Sequence, residues 1–124
     1  MSSIKFRECL MQYSGAPIPS YSSVLDWEAE SEGGDTTYFF SLDGIEIGSI
    51  SSFEEEHVIT IYGVFLDEKY RGKGLGRCML GEVMNDLIPS GKKIRLQVSD
   101  NNRPAFSLYT EYGFEIIDSI EVIR

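Results

Sequence analysis

The sequence predicts a three-layer α/β fold, a β-sheet flanked by helices, and three observations carry that expectation. From Thr36 the pattern is β-like; the run VITIYGVFL (58–66) is apolar or β-branched almost throughout; and the residues after it repeat apolar side chains at helical spacing before strand character returns. Taken in order, SGAPIPSYSSVLDWEAESEGGD (14–35) is the loosest stretch, rich in serine and closed by Gly33-Gly34, and a short helix is expected inside it over Ser20 to Glu30. TTYFFS and IEIGSISS, joined by a Leu42-Asp43-Gly44 turn, read as a hairpin. VITIYGVFL reads as a strand buried on both faces, with Gly63 marking a bulge or a close backbone approach. Leu75, Met79, Leu80, Val83, Met84, Leu87 and Ile88 then recur at helical spacing until Pro89 and Gly91 stop the helix. KIRLQV is a strand, and NNRPAFSLYTEYGF is a second helix with Asn102 as N-cap, Pro104 in the first turn and Gly113 after the last. FEIIDSIEVIR closes the chain as a strand. The order is therefore hairpin, strand, helix, strand, helix, strand, with one parallel, right-handed strand-helix-strand unit.

A chain of 124 residues with 42% hydrophobic content supports one core, so a single domain over residues 1–124 is expected. No stretch has the length and apolarity of a signal peptide or of a membrane span, and the expected location is cytoplasmic, away from membranes. Cys9 and Cys78 fit no metal-ligand spacing and read as reduced, buried small hydrophobes, with no metal expected.

Charge is distributed unevenly. The net charge is −9, and residues 1–66 hold eleven acidic and two basic side chains, whereas residues 67–124 hold nine of each. A phosphate-tracking basic surface is absent from that pattern, so nucleic acid is excluded as the expected partner. A cationic substrate is favoured by the acidic half, while Lys69, Arg71, Lys73 and Arg77 are placed to hold an anion locally.

Those four cations surround YRGKGLGRCMLGEV, in which Gly72, Gly74 and Gly76 fall within five positions. Inside a helix each glycine costs about 1 kcal/mol. At the junction of a buried strand and a helix they instead open the main chain to an anion, because the first N–H groups of a helix lack intrahelical partners and the helix dipole favours negative charge. Two familiar diphosphate loops fail on spacing. The pattern G-x-x-x-x-G-K-S/T is broken because Gly74 follows Lys73, and G-x-G-x-x-G fails from Gly72, where the last position is Arg77, and from Gly74, where it is Met79.

The pattern that fits is R-x-x-G-x-G, as Arg71, Gly74 and Gly76, which resembles the acetyl-CoA pyrophosphate loop of the GNAT superfamily of N-acetyltransferases. A second stretch, LQVSDNNRPAFSLYTEYGFE, resembles the family's N-x-x-A-x-x-L-Y-x-x-x-G-F signature through Asn102, Ala105, Leu108, Tyr109, Gly113 and Phe114, in the family's order. Together the two cover roughly residues 58–116; the N-terminal half fits the family's hairpin and carries no signature. The resemblance implies a central mixed, mostly antiparallel sheet with a parallel splayed pair and flanking helices. It implies acetyl-CoA as co-substrate and direct attack by a primary amine in a ternary complex, so that the protein positions reactants and handles protons.

By the same resemblance, the main chain of Val64, Phe65 and Leu66 bonds the pantetheine arm, with the Leu66 N–H a candidate for the oxyanion. Arg71, Gly72, Lys73, Gly74, Leu75, Gly76 and Arg77 hold the pyrophosphate, Asn102 contacts the cofactor, and Tyr109 protonates the departing thiolate. Glu56 or His57 is the candidate base for the incoming ammonium; an acidic run before a strand is otherwise a solvated turn. Two departures from the family pattern stand out: a short region before the hairpin, and little room in FEIIDSIEVIR for a loop between the last two strands. Both normally wall the acceptor site, so an open, acidic acceptor groove is expected, suited to a protein lysine, a peptide N-terminus, a polyamine or an aminoglycoside-like amine. Family members often pair through their last strands, which makes a homodimer a candidate. The alternative function is an acetyl-CoA-binding interaction module with little or no turnover.

Overall fold

The structure, a computed structural model, describes residues 5–123. The chain divides into two compact units, one of residues 19–94 and one formed by residues up to 18 together with those from 95 onward.

In the 19–94 unit four strands run as an antiparallel meander, β2 (Asp26–Glu32), β3 (Asp35–Leu42), β4 (Ile45–Glu54) and β5 (Val58–Leu66). The helix expected over Ser20 to Glu30 is absent; its second half is strand β2. The reason is visible in DWEAESE, whose acidic residues alternate with period two, and in Gly33 (φ 62°) and Gly34 (φ 129°), which make the tight turn that returns the chain along β3. The β3–β4 hairpin forms as expected, with Asp43 (φ 51°) and Gly44 (φ 81°) both left-handed at the turn.

One face of this meander is the core. Tyr38, Phe40, Ile47, Ile50, Ile59 and Ile61 are buried on it. Helix α1 (Leu75–Leu87) covers that face with Met79, Leu80, Val83 and Met84, and the Tyr38 hydroxyl donates to Asp86 Oδ2 at 2.6 Å to fix its rotation. Each large apolar side chain buried there contributes about 1.5–3 kcal/mol. The helix ends in a 3-10 turn at Ile88–Ser90, and Gly91 (φ 72°) turns the chain into the next strand, β6 (Lys93–Ser99). The Lys93 N–H donates to the His57 carbonyl at 3.0 Å, so the first residue of β6 lies beside the start of β5.

Burial of β5 on both faces does not hold. Ile59 and Ile61 are buried, but Tyr62 to Phe65 are exposed. Gly63 (φ 58°) is the bulge expected from the sequence: β5 spends three steps between Tyr62 and Phe65 where β4 spends two between Ser51 and Ser49. The extra residue returns Phe65 to the same face as Tyr62, which simple alternation would forbid.

The other unit holds three antiparallel strands in the order β6, β1 (Lys5–Tyr13), β7 (Phe114–Ile123), with helix α2 (Arg103–Glu111) between β6 and β7 in sequence. Strand β1 was not foreseen, because KFRECLMQY does not alternate cleanly; it buries Phe6, Cys9 and Met11, and its register against β7 shifts at Leu10/Met11. FEIIDSIEVIR forms one strand throughout its described length, and its antiparallel neighbour is β1. Tyr112 and Phe114 are buried after α2, with Gly113 (φ 87°) at the exit of the helix.

Cys9 and Cys78 are both free and buried. No described helix is long and apolar enough to cross a membrane.

Candidate functional site

The glycine run emerges from the end of β5 through a stepwise series of local bonds. The Asp67 N–H donates to the Ile47 carbonyl at 2.8 Å, and the Asp67 side chain accepts from the Lys69 N–H at 3.0 Å, capping a 3-10 turn at Glu68–Tyr70. Arg71 Nε then donates to the Leu66 carbonyl at 2.9 Å. That bond uses one of the guanidinium's five N–H donors and folds the loop back onto the strand end.

Gly72 (φ 75°) and Gly74 (φ 79°) are left-handed, and a Cβ on either would meet nothing within 4 Å. Backbone conformation is what demands glycine at these two positions, and the space in front of them is clear. Gly74 is the N-cap of α1 and supplies no side-chain bond; the first turn carries no acidic residue, and the helix opens with the Cys78 N–H donating to the Gly74 carbonyl at 3.3 Å. Gly76 lies in that first turn. An uncapped helix N-terminus, open left-handed glycines before it, and Lys69, Arg71, Lys73 and Arg77 along the same nine residues suit a multiply charged phosphate ester. Lys73 Nζ also stands 5.9 Å from the Tyr70 ring centroid, a cation–π distance that limits its wandering.

Behind the loop, the end of β5 rests on Gly48, which pairs with Leu66; a Cβ on Gly48 would lie 2.4 Å from the Phe65 carbonyl oxygen. Gly48 is a supporting residue that sequence reasoning missed. Its signal was a glycine inside a strand, between Ile47 and Ser49. Val64 and Phe65 are exposed at this end and Leu66 is half-buried.

In the other unit, Asn102 caps α2. Its side chain accepts from the Ala105 N–H at 3.5 Å and its own N–H donates to the Ser99 carbonyl at 3.0 Å, leaving the residue exposed at the helix mouth. Tyr109 is the buried residue of that helix, its ring meeting Phe114 edge-on at 6.1 Å. Burial pushes its phenol pKa above the ordinary value, so the hydroxyl holds its proton through neutral and mildly alkaline pH.

Glu56 and His57 lie elsewhere. Their side chains are 3.7 Å apart and 87% and 83% exposed, in the turn before β5. From His57 to Leu66 is the full nine-residue strand, roughly 30 Å of extended chain. The structure does not bring this pair to the glycine loop.

Comparison with known proteins places these features in context. Residues 4–114 match the family model described as the acetyltransferase (GNAT) family. A spermine/spermidine N(1)-acetyltransferase of Bacillus subtilis is 42% identical over 53 residues, covering 41% of this chain and 35% of the relative. A mycothiol acetyltransferase of Corynebacterium glutamicum is 28% identical over 121 residues, covering 82% of this chain and 41% of the relative. The chain thus spans well under half the length of these two relatives. A GCN5-related N-acetyltransferase from Sphaerobacter thermophilus superposes with a TM-score of 0.72 at 14% identity, over 96% of this chain and 51% of that one. The ribosomal-protein-S18-alanine N-acetyltransferase of Escherichia coli gives 0.64 at 22% identity, over 68% and 56%. At those identities the structural likeness establishes the fold.

Proposed function

Because this chain belongs to the acetyltransferase (GNAT) family, we propose that it binds acetyl-CoA and passes the acetyl group directly to a primary amine. The observation that carries this reading is the left-handed Gly72–Gly74 loop opening onto the uncapped N-terminus of α1 straight after β5. Acetyl-CoA, when bound, supplies an acyl thioester already activated toward amines. The residues' part is placement and charge. Arg71 to Arg77 hold the pyrophosphate through main-chain N–H groups and cationic side chains. The exposed main chain of Val64 to Leu66 aligns the pantetheine arm, and the Leu66 N–H faces the oxygen on which negative charge develops. Asn102 serves the cofactor at the mouth of α2. Tyr109, kept protonated by burial, donates to the leaving sulfur.

Neither Glu56 nor His57 is assigned the deprotonation of the incoming ammonium, since both lie at the far end of β5 from Leu66. The acceptor in this reading is cationic. Eleven of the thirteen charged side chains in residues 1–66 are acidic, and one relative acts on spermine and spermidine by its name.

Thermal unfolding with and without acetyl-CoA tests the first step. A ligand held only by the native state raises Tm, and the rise should vanish in Gly74→Val. An unchanged Tm in the wild-type protein overturns the reading. A thiol-release assay over a panel of amines then separates the enzyme from an acetyl-CoA-binding module, which would show the rise in Tm without release.

A further inference from the structure

The face of the β2–β5 meander turned away from α1 carries a cavity of about 330 Å³ lined chiefly by Asp26, Glu28, Glu30, Glu46, Phe39 and Ser41. Strand alternation explains the gathering. Asp26, Glu28 and Glu30 share one side of β2, and the register pairs Glu28 with Phe39 and Asp26 with Ser41, which in turn pairs with Glu46. Phe40, the neighbour of Phe39, is fully buried on the α1 face, so Phe39 points to the open one. Among the described residues no Lys or Arg lines this cavity.

The same register continues toward the thioester end of the sheet. Glu28 pairs with Phe39, Phe39 with Ser49, and Ser49 with Phe65. Because the Gly63 bulge returns Phe65 to this face, the row is continuous from the carboxylates to the residue beside Leu66. Its span is three strand spacings, about 14 Å. Phe65 is 55% exposed and Tyr62, on the same face, is 46% exposed.

The geometry points to this row as the acceptor track for a linear oligoamine, with its reacting amine at Phe65–Leu66 and a distal ammonium in the carboxylate cavity over Phe39. The inference rests on the acetyl-transfer reading above and adds the acceptor's shape to it. Charge complementarity selects the occupant: four carboxylates with no lining cation oppose any anion or neutral chain. An aromatic floor suits the methylenes between ammonium groups, and its ring face suits the ammonium itself. The cavity volume lies at the small-molecule end of binding sites, which favours a single narrow chain over a folded partner. A monoamine reaches only one end of the row and lacks the second anchor.

Calorimetric titration with spermidine, on the protein without acetyl-CoA, reads this site apart from turnover. Glu28→Gln/Glu46→Gln should weaken binding by about tenfold or more, as loss of two charge-assisted contacts implies. The control Glu55→Gln/Glu115→Gln removes the same charge from exposed positions off the cavity and should change affinity by less than about twofold. Butylamine should bind far more weakly than spermidine. The inference is overturned if spermidine does not bind, if the two double variants lose equally, if butylamine matches spermidine, or if a Lys-rich peptide binds more tightly than spermidine. The acetyl-CoA thermal shift distinguishes the two failures: its absence sinks the acetyl-transfer reading, whereas its presence with an insensitive titration sinks only the oligoamine track.

Discussion

Gly48 and the Phe65 carbonyl approach so closely that a Cβ on the glycine would lie 2.4 Å from the Phe65 oxygen and 3.0 Å from Met79 Cε. The strand end that the proposed thioester site needs is therefore seated directly on bare backbone, with α1 immediately behind. Gly48→Ala should push β5 outward and lower stability by about 1–3 kcal/mol, the usual cost of overpacking. Urea unfolding measures the loss, and the acetyl-CoA-dependent rise in Tm should shrink with it. A variant as stable as wild type would show that β5 yields there without cost.

Gly74 separates conformational demand from steric demand. Nothing within 4 Å would touch a Cβ at this position, yet φ is 79°. Asparagine visits the left-handed region readily and valine does not, so Gly74→Val should be less stable than Gly74→Asn by about 1–2 kcal/mol. Denaturation midpoints of the two variants make the comparison, and equal midpoints would mean the loop relaxes to another φ.

Tyr109→Phe should lower turnover by roughly 10- to 1,000-fold while leaving acetyl-CoA affinity nearly unchanged, the signature of a lost proton donor. Burial raises the Tyr109 pKa. Wild-type kcat should therefore show no loss of this acid as pH rises from 7 to about 9. Steady-state kinetics across that window, on both proteins, is the check; equal kcat values would move the acid role to another group.

Alkaline stability reports on Tyr38, whose pKa is raised by burial and then by its hydrogen bond to Asp86. In the unfolded chain the phenol ionises near pH 10, while in the folded protein it keeps its proton to higher pH. The stabilisation is complete below about pH 10 and is lost as pH rises further, by about 1.4 kcal/mol per pH unit until the folded group also ionises. Tyr38→Phe should flatten that decline. It should also cost about 0.5–1.5 kcal/mol at pH 7 through the lost bond, since exposed Asp86 rehydrates. Urea unfolding at pH 7, 10 and 11 tests both parts.

The carboxylate-lined face of the meander shows why the N-terminal half is harder to read than the glycine loop. DWEAESE spaces its acidic residues at period two but sets only one large apolar side chain, Trp27, against them, so its strand character is decided by its pairing with TTYFFSL. β1 is a similar case: its buried residues fall at positions 6, 9 and 11, an uneven spacing that period two does not capture. Both strands are held mainly by partners distant in sequence or by a turn, and neither signals itself in isolation.

Local chemistry within the sequence determined the loop, both helices with their punctuation, the hairpin turn at Asp43-Gly44 and the bulge at Gly63, because left-handed backbone, capping and helical periodicity act over only a few residues. Tertiary structure alone decided that β1 lies between β6 and β7, that Gly48 carries the end of β5, and that four carboxylates share one cavity. Each of those depends on which strands pair and in what register. A shift of one residue reverses which face a side chain occupies, and register is set by pairing between segments that the linear order keeps apart.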